Sequence, residues 1–204
     1  DTKKMTLAAT ERNEDARVAW HDEVNALDPA TFVFVDETGS NRGMTPRYAR
    51  APRGKRAHGQ APAQRGANVT LVAALSLEGI GAAMTLGGAL DGDACEVYVR
   101  EVLAPTLRPG QLVIWDNVRP HQRETLRGVI AARGCRLLFL PAYSPDFSPI
   151  EHAFSKLKEA LRRAEARTRA ALEEAIRAAL ASITAADALG WFTHCGYSPL
   201  AEQA

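Results

Sequence analysis

Three carboxylates stand at positions from which they could act together on one substrate. Asp36 follows the apolar run "TFVFV", Asp116 follows "LVIW", and Glu151 lies in the proline-rich stretch "YSPDFSPIE" shortly after "LLFLP". Carboxylates gathered at one spot repel each other unless cations bind between them, and oxygen ligands favour Mg²⁺ or Mn²⁺. Two such ions can activate a water and stabilise the leaving oxygen in an attack on a phosphodiester. The three residues are therefore predicted to be both metal ligands and catalytic, with two Mg²⁺ ions that Mn²⁺ can replace.

Each of the two aspartates also has a purely structural interpretation. An aspartate at the end of a strand often begins a turn, whereas an apolar strand that ends on a carboxylate places that charge at the edge of an α/β sheet where sites form. Glu37 lies beside Asp36, but side chains alternate between the faces of a strand. Only one of Asp36 and Glu37 is therefore expected to face Asp116.

Glu151 has a structural interpretation of its own. The segment "SPIE" fits a capping box, with Ser148 at the N-cap and Glu151 at the third helical position. The same geometry would fix Glu151 in the first turn of a helix that follows the strand "LLFL". If Glu151 acts only as a cap, Asp146 is the nearest alternative for the third carboxylate.

Positive charge is concentrated in one segment and along one helix face. No Asp or Glu occurs between positions 38 and 77, where seven Lys and Arg residues include Arg53, Lys55 and Arg56. Such a run is either a solvated loop or a phosphate-binding surface. Lys158 and Arg162 lie seven and eleven positions after Glu151, so both share its direction on a helix. All five basic residues are candidate contacts to a polyanionic substrate.

The hydrophobic pattern predicts an α/β fold with a mixed β-sheet flanked by helices on both faces. Strands that first form a meander and then alternate with helices favour this architecture. Three regions are predicted: an N-terminal helical connector (1–30), a catalytic domain (31–166) and a C-terminal helical extension packed on the core (167–204). Predicted strands span 31–38, 68–77, 80–86, 111–117 and 135–141, and predicted helices span 11–27, 91–104, 122–133, 149–166 and 168–183.

Composition excludes several classes of protein. No apolar run is long enough to span a membrane, and the polar first residues do not form a secretory signal. Three widely spaced cysteines and five scattered histidines argue against a zinc site or any metal site built on His or Cys, and favour free thiols in a reducing cytoplasm.

The motifs "VDETG", "IWDNVRPH" and "LPAYSPDFSPIEHAFSKLK", in this order, resemble the catalytic signature of DDE transposases. They are most similar to the mariner-like bacterial insertion-sequence family (insertion sequence 630 type). The resemblance implies a ribonuclease H-like fold, with Asp36, Asp116 and Glu151 as the metal-binding triad and Asn117 and His121 as supporting residues. It also implies cut-and-paste DNA transposition at terminal inverted repeats, with insertion at TA dinucleotides.

The resemblance extends to partners and has two departures. It implies double-stranded DNA as substrate, a homodimer in the active complex, and a bacterial cytoplasmic protein associated with the nucleoid. Ser148 replaces the family's usual asparagine, and about thirty residues precede the first catalytic strand where the family carries helix-turn-helix domains. The resemblance therefore implies either the catalytic half of a split product or truncated element, or recognition by a partner such as a separately encoded half. A ribonuclease H-like nuclease without strand transfer and a catalytically silent or truncated DNA-binding remnant are the alternatives.

Overall fold

A five-stranded mixed sheet forms the centre of the protein in the computed structural model, which describes residues 9–198. The start of the predicted connector (1–8) and the end of the predicted C-terminal extension (199–204) lie outside these residues. The strand order is β3-β2-β1-β4-β5; β1 pairs antiparallel with β2 and β2 with β3, whereas β1–β4 and β4–β5 are parallel. The strands are β1 (Phe32–Ser40), β2 (Val69–Ser76), β3 (Gly79–Gly87), β4 (Leu112–Trp115) and β5 (Arg136–Phe139).

Helices cover both faces of this sheet, as predicted. The α-helices are α1 (Glu14–Asn25), α2 (Gly92–Val97), α3 (Glu124–Ala132), α4 (Pro149–Ala164), α5 (Arg169–Ala181) and α6 (Ala185–His194). A π-helical turn (Tyr98–Leu103) extends α2, and 3-10 turns occur at Pro29–Thr31, Ala104–Thr106, Arg119–Gln122 and Pro145–Phe147. Helix α6 was not among the predicted helices; it begins with a capping box formed by Thr184 and Asp187.

Two hydrophobic cores lie on opposite sides of the sheet, and strand β1 contributes side chains to both. Phe32 and Phe34 join a core with α1, α4, α5 and α6. Val33 and Val35 point the other way and join a second core with α2 and α3. The alternation explains why β1 appears in the sequence as a continuous apolar run. Since α1, α5 and α6 share one core with α4, the three predicted regions pack as neighbours, and the exact division at residues 30 and 166 stays a prediction.

The segment between β1 and β2 contains only turns and bends over residues 41–68, all of which are described. The segment that carries the concentrated Lys and Arg residues thus contains no strand. Within residues 9–198, no helix is long and apolar enough to cross a membrane.

Candidate active site

The parallel pairing of β1 with β4 brings the two aspartates to one edge of the sheet. Val35 is in register with Trp115, the last residue of β4, so that Asp36 and Asp116 follow at equivalent positions. Asp36 does not end its strand, contrary to expectation, because β1 continues to Ser40 alongside β2 after β4 has stopped. Asp36 is instead the first residue of β1 beyond the parallel pair.

Glu151 lies in the first turn of α4, but the predicted capping box does not form. Ser148 is the N-cap and Pro149 the first helical residue, yet the Ser148 side chain makes no capping hydrogen bond in the described structure. The amide that it would cap, the N–H of Glu151, donates to the backbone carbonyl of Ser148 at 3.2 Å. The Glu151 carboxylate therefore takes no part in capping α4.

All three predicted carboxylates line one cavity of about 400 Å³. Asp36 and Asp116 contribute from the sheet edge and Glu151 from α4, while the wall is completed by the segment that joins β5 to α4. Asn117 also lines this cavity, and its side-chain oxygen accepts a hydrogen bond from Gln122 Nε2 at 2.6 Å. The structure thus brings together the residues that the sequence analysis grouped.

The environment of Asp36 disfavours its ionised form. Burial, followed by the charge of Glu151 and by smaller repulsions from Glu37 and Asp116, raises the pKa of Asp36 to about 8. A hydrogen bond from the backbone N–H of Glu37 to Asp36 Oδ1, 2.8 Å long, opposes the rise only partly. Without a cation, this carboxyl group therefore holds a proton near neutral pH.

His121 connects Asp116 to a carboxylate that the sequence analysis set aside. Its Nδ1 lies 2.5 Å from Asp116 Oδ1, and its Nε2 lies 3.6 Å from Glu37 Oε2. The imidazole is buried and stacks on the Trp115 ring with centroids 4.1 Å apart.

The expectation that only one of Asp36 and Glu37 can approach Asp116 is therefore wrong. Asp116 lies beyond the end of β4, where groups from both faces of β1 reach it. Ligand atoms of Glu37, Asp116 and His121 lie within 4.8 Å of one another, a spacing that could hold a metal ion. The spacing of the histidines in the sequence did not predict this cluster. The two adjacent acidic residues of "VDET" were the local signal that a second carboxylate could lie near Asp116.

The loop before α4 is fixed from outside by α1. Arg17, although buried, donates to both carboxylate oxygens of Asp146 at 3.1 and 2.6 Å, and its guanidinium lies 3.9 Å from the centre of the Phe147 ring. Trp20 stacks on Phe147 at 5.2 Å. Asp146, the alternative third carboxylate, is thus held by Arg17 and is not among the residues that line the cavity.

The predicted basic residues lie on two elements of the fold. Arg53, Lys55 and Arg56 are exposed in the loop between β1 and β2 and do not line the cavity. Lys158 and Arg162 are partly exposed on α4. The acidic residues nearest to them pair elsewhere, Glu159 with Arg163 and Glu165 with Arg167. Arg162 lines a second groove of about 430 Å³ together with Pro46, Arg47, Tyr48, Ser155, Glu159 and Arg163.

A family model described as DDE superfamily endonuclease matches residues 31–173. The chain belongs to the DDE superfamily endonucleases. The match includes both aspartates, Glu151 and the whole sheet, so the family assignment rests on the same elements that build the cavity. A search of curated proteins returned no match.

Solved structures of Mos1 transposase share the fold of this DDE superfamily endonuclease. A pre-cleavage Mos1 transpososome superposes with a TM-score of 0.72 at 15% identity, covering 98% of this chain and 64% of the Mos1 chain. A Mos1 mariner paired end complex with Mn gives 0.72 at 17% identity, with 98% and 64% covered. The catalytic domain of Mos1 mariner transposase gives 0.60 at 12% identity, with 95% and 93% covered.

These similarities confirm the predicted ribonuclease H-like fold. The chain spans less than two thirds of the Mos1 chains in the two complexes and almost all of the isolated catalytic domain.

Proposed function

We propose that this protein is the catalytic domain of a DNA transposase, which cleaves DNA at transposon ends and joins the freed 3′-hydroxyl to target DNA. The observation that carries the proposal is the convergence of Asp36, Asp116 and Glu151 on one cavity in a chain of the DDE superfamily. The likeness to Mos1 complexes with paired ends and to a Mos1 strand transfer complex adds support.

The residues of the cavity fit a divalent metal site. Three carboxylates with only oxygen donors suit Mg²⁺ or Mn²⁺, and the raised pKa of Asp36 marks a site where negative charge lacks a counterion. Asp36, Asp116 and Glu151 would hold two ions. Ions bound there would supply activation of an attacking water and stabilisation of the leaving oxygen of the phosphodiester.

The protein's own side chains would orient these ligands and bind the substrate. His121 fixes the Asp116 carboxylate through the 2.5 Å contact, and Trp115 fixes the His121 ring. Lys158 and Arg162 extend from the cavity along α4 and are suited to the phosphates of the strand that enters it. Asn117 holds the cavity wall through Gln122.

The proposal implies further partners for the domain. Double-stranded DNA would supply transposon ends and a TA target, and a homodimer would hold two ends together. Sequence-specific recognition would come from helix-turn-helix domains, either in a separately encoded half or in another part of a longer protein. The compartment would be the bacterial cytoplasm, in contact with nucleoid DNA, where the buried free thiols of Cys95, Cys135 and Cys195 stay reduced.

Metal-dependent nicking of supercoiled plasmid tests this function. The purified protein is expected to nick DNA with Mg²⁺ or Mn²⁺ and to lose this activity in EDTA. Ca²⁺ should support binding but little cleavage, because its looser coordination positions the water and the leaving oxygen poorly. Undiminished nicking in EDTA would exclude the metal mechanism. Transfer of a labelled 3′-hydroxyl end into plasmid separates a transposase from a nuclease that cuts without joining.

The exposed basic segment provides a separate prediction about DNA binding. If Arg53, Lys55 and Arg56 contact phosphates, replacing all three with alanine should flatten the dependence of log K on log salt by about 0.9 per lost contact on duplex DNA. Fluorescence anisotropy across a salt series measures this slope. A matched triple variant of Arg100, Arg108 and Arg177, each ion-paired with a surface glutamate, should leave it unchanged. An unaltered slope for the triple variant of Arg53, Lys55 and Arg56 would show that this segment is a solvated loop that does not contact DNA.

A further inference from the structure

Tyr143 combines an exposed aromatic ring with a strained backbone at the wall of the catalytic cavity. The residue is 57% exposed, and its backbone has a φ of +57°. This left-handed region is costly for a bulky side chain, and strained residues of this kind cluster at active sites. Tyr143 lines the same cavity as Asp36, Asp116 and Glu151. The Tyr143 side chain is too exposed for its own packing to offset this strain.

The surrounding loop imposes this conformation. Three residues further on, Asp146 is held in a two-pronged ion pair by Arg17, and the next residue, Phe147, packs against both Arg17 and Trp20. The Tyr197 hydroxyl donates to the backbone carbonyl of Phe147 at 2.7 Å. A strained residue persists only where its neighbours over-determine it, and these contacts from two distant parts of the chain do so.

A second apolar side chain faces the same space. Val118, 40% exposed, lines the cavity from the segment that follows β4. Both side chains therefore stand beside the carboxylates and remain open to solvent, where a ligand with an apolar face could cover them. The exposed side chains here are aromatic and apolar, whereas the phosphate of a DNA strand would be bound by metal ions held on the carboxylates and by the basic residues of α4.

We infer that Tyr143 is a substrate-positioning residue whose ring stacks on the base of a nucleotide next to the scissile phosphate. This inference rests on the proposed function. A base has the flat apolar face that complements an exposed ring, and stacking tolerates any sequence. The strained backbone sets the direction of the ring before DNA arrives, so that the phosphate is aligned with the carboxylates when the base is seated.

Variants that separate the ring from the strain test this role. Tyr143→Asn removes the ring, and asparagine tolerates positive φ better than most residues. It should therefore melt at the wild-type temperature or up to about 4 °C above it. Its single-turnover nicking rate in Mn²⁺ should fall about five- to 150-fold, the effect of losing one base–aromatic stack. Tyr143→Phe, which keeps the ring, should stay within about threefold of wild type. Leu189→Asn changes an exposed apolar residue of α6 outside the cavity and should leave the rate unaltered.

A substrate with a missing base makes the test specific for stacking. The principal nick in a short end-labelled duplex is first mapped with wild-type protein, and an abasic nucleotide is then placed on each side of it in turn. With the abasic nucleotide on one of the two sides, the nicking rate of wild-type protein should fall as much as the Tyr143→Asn substitution lowers it on intact DNA. On that same abasic substrate, Tyr143→Asn should nick no more slowly than it does on intact DNA. Equal rates for Tyr143→Asn and wild type, additive losses on both abasic substrates, or a variant that melts well below wild type would each overturn the inference. Wild-type protein that fails to nick at all would instead contradict the proposed function.

Discussion

Replacing Glu151 with glutamine is expected to remove nearly all DNA nicking while leaving the fold intact. The change keeps the size and hydrogen-bonding capacity of the side chain but removes the charge required of a metal ligand. The expected loss is at least about 10³-fold in single-turnover rate, comparable to removing other preorganised charge stabilisation. Because the Glu151 side chain takes no part in capping α4, the free energy of unfolding in metal-free buffer should change by less than about 1 kcal/mol.

The control is the same substitution at an ordinary surface glutamate. Glu173→Gln on α5 breaks only an exposed pair with Arg169 and should retain wild-type nicking. Quenched-flow or gel-based single-turnover assays, with circular dichroism of the same preparations, measure both properties. If Glu151→Gln nicks at more than about a tenth of the wild-type rate, the charge of Glu151 does not serve catalysis, because preorganised charge is worth far more than tenfold.

Replacing Asp36 with asparagine is expected to stabilise the metal-free protein while abolishing nicking. Asparagine is neutral, and its side-chain oxygen can still accept the hydrogen bond from the Glu37 amide. The buried carboxyl group, by contrast, must either hold a proton or ionise beside Glu151. The expected gain at pH 8 is at least about 2 kcal/mol in the free energy of unfolding, from the linkage between a shifted pKa and stability.

The pH dependence of this gain follows from the direction of the shift. The pKa of Asp36 is raised in the folded state to about 8 from 3.8, so the protonated group contributes stability that is fully present below about pH 3.8. That stability is lost as the pH rises to about 8, because the unfolded chain gives up its proton first. Urea unfolding in EDTA at several pH values should show the advantage of Asp36→Asn growing between these limits. An advantage that does not change with pH would show that Asp36 is not desolvated.

The positions of the three carboxylates could be predicted because each follows from local sequence. The apolar runs before Asp36 and Asp116 define parallel strands, and the prolines around Glu151 define a helix start. Parallel strands place their carboxyl ends at one edge of a sheet, so proximity follows from topology alone. The length of β1 beyond Asp36 could not be read in this way, because it depends on pairing with β2 after β4 has ended.

The surroundings of the carboxylates could not be predicted, since they depend on contacts between distant segments. Arg17 and Asp146 are 129 positions apart, and nothing near either residue indicates the other. The capping box predicted at Ser148 does not form, because the Ser148 carbonyl accepts from the amide that its hydroxyl would have bound. The exposure of Tyr143 likewise results from how the whole loop is held against α1.

Anomalous diffraction from crystals soaked in Mn²⁺ would test the central claim most directly, because two carboxylate clusters share Asp116. The proposed site is formed by Asp36, Asp116 and Glu151 in the cavity, whereas Glu37, Asp116 and His121 form the neighbouring cluster. We predict two manganese peaks within the cavity, with ligands from Asp36, Asp116 and Glu151, and no peak on the imidazole of His121. Manganese bound between Glu37, Asp116 and His121, with Asp36 and Glu151 free of metal, would contradict the account.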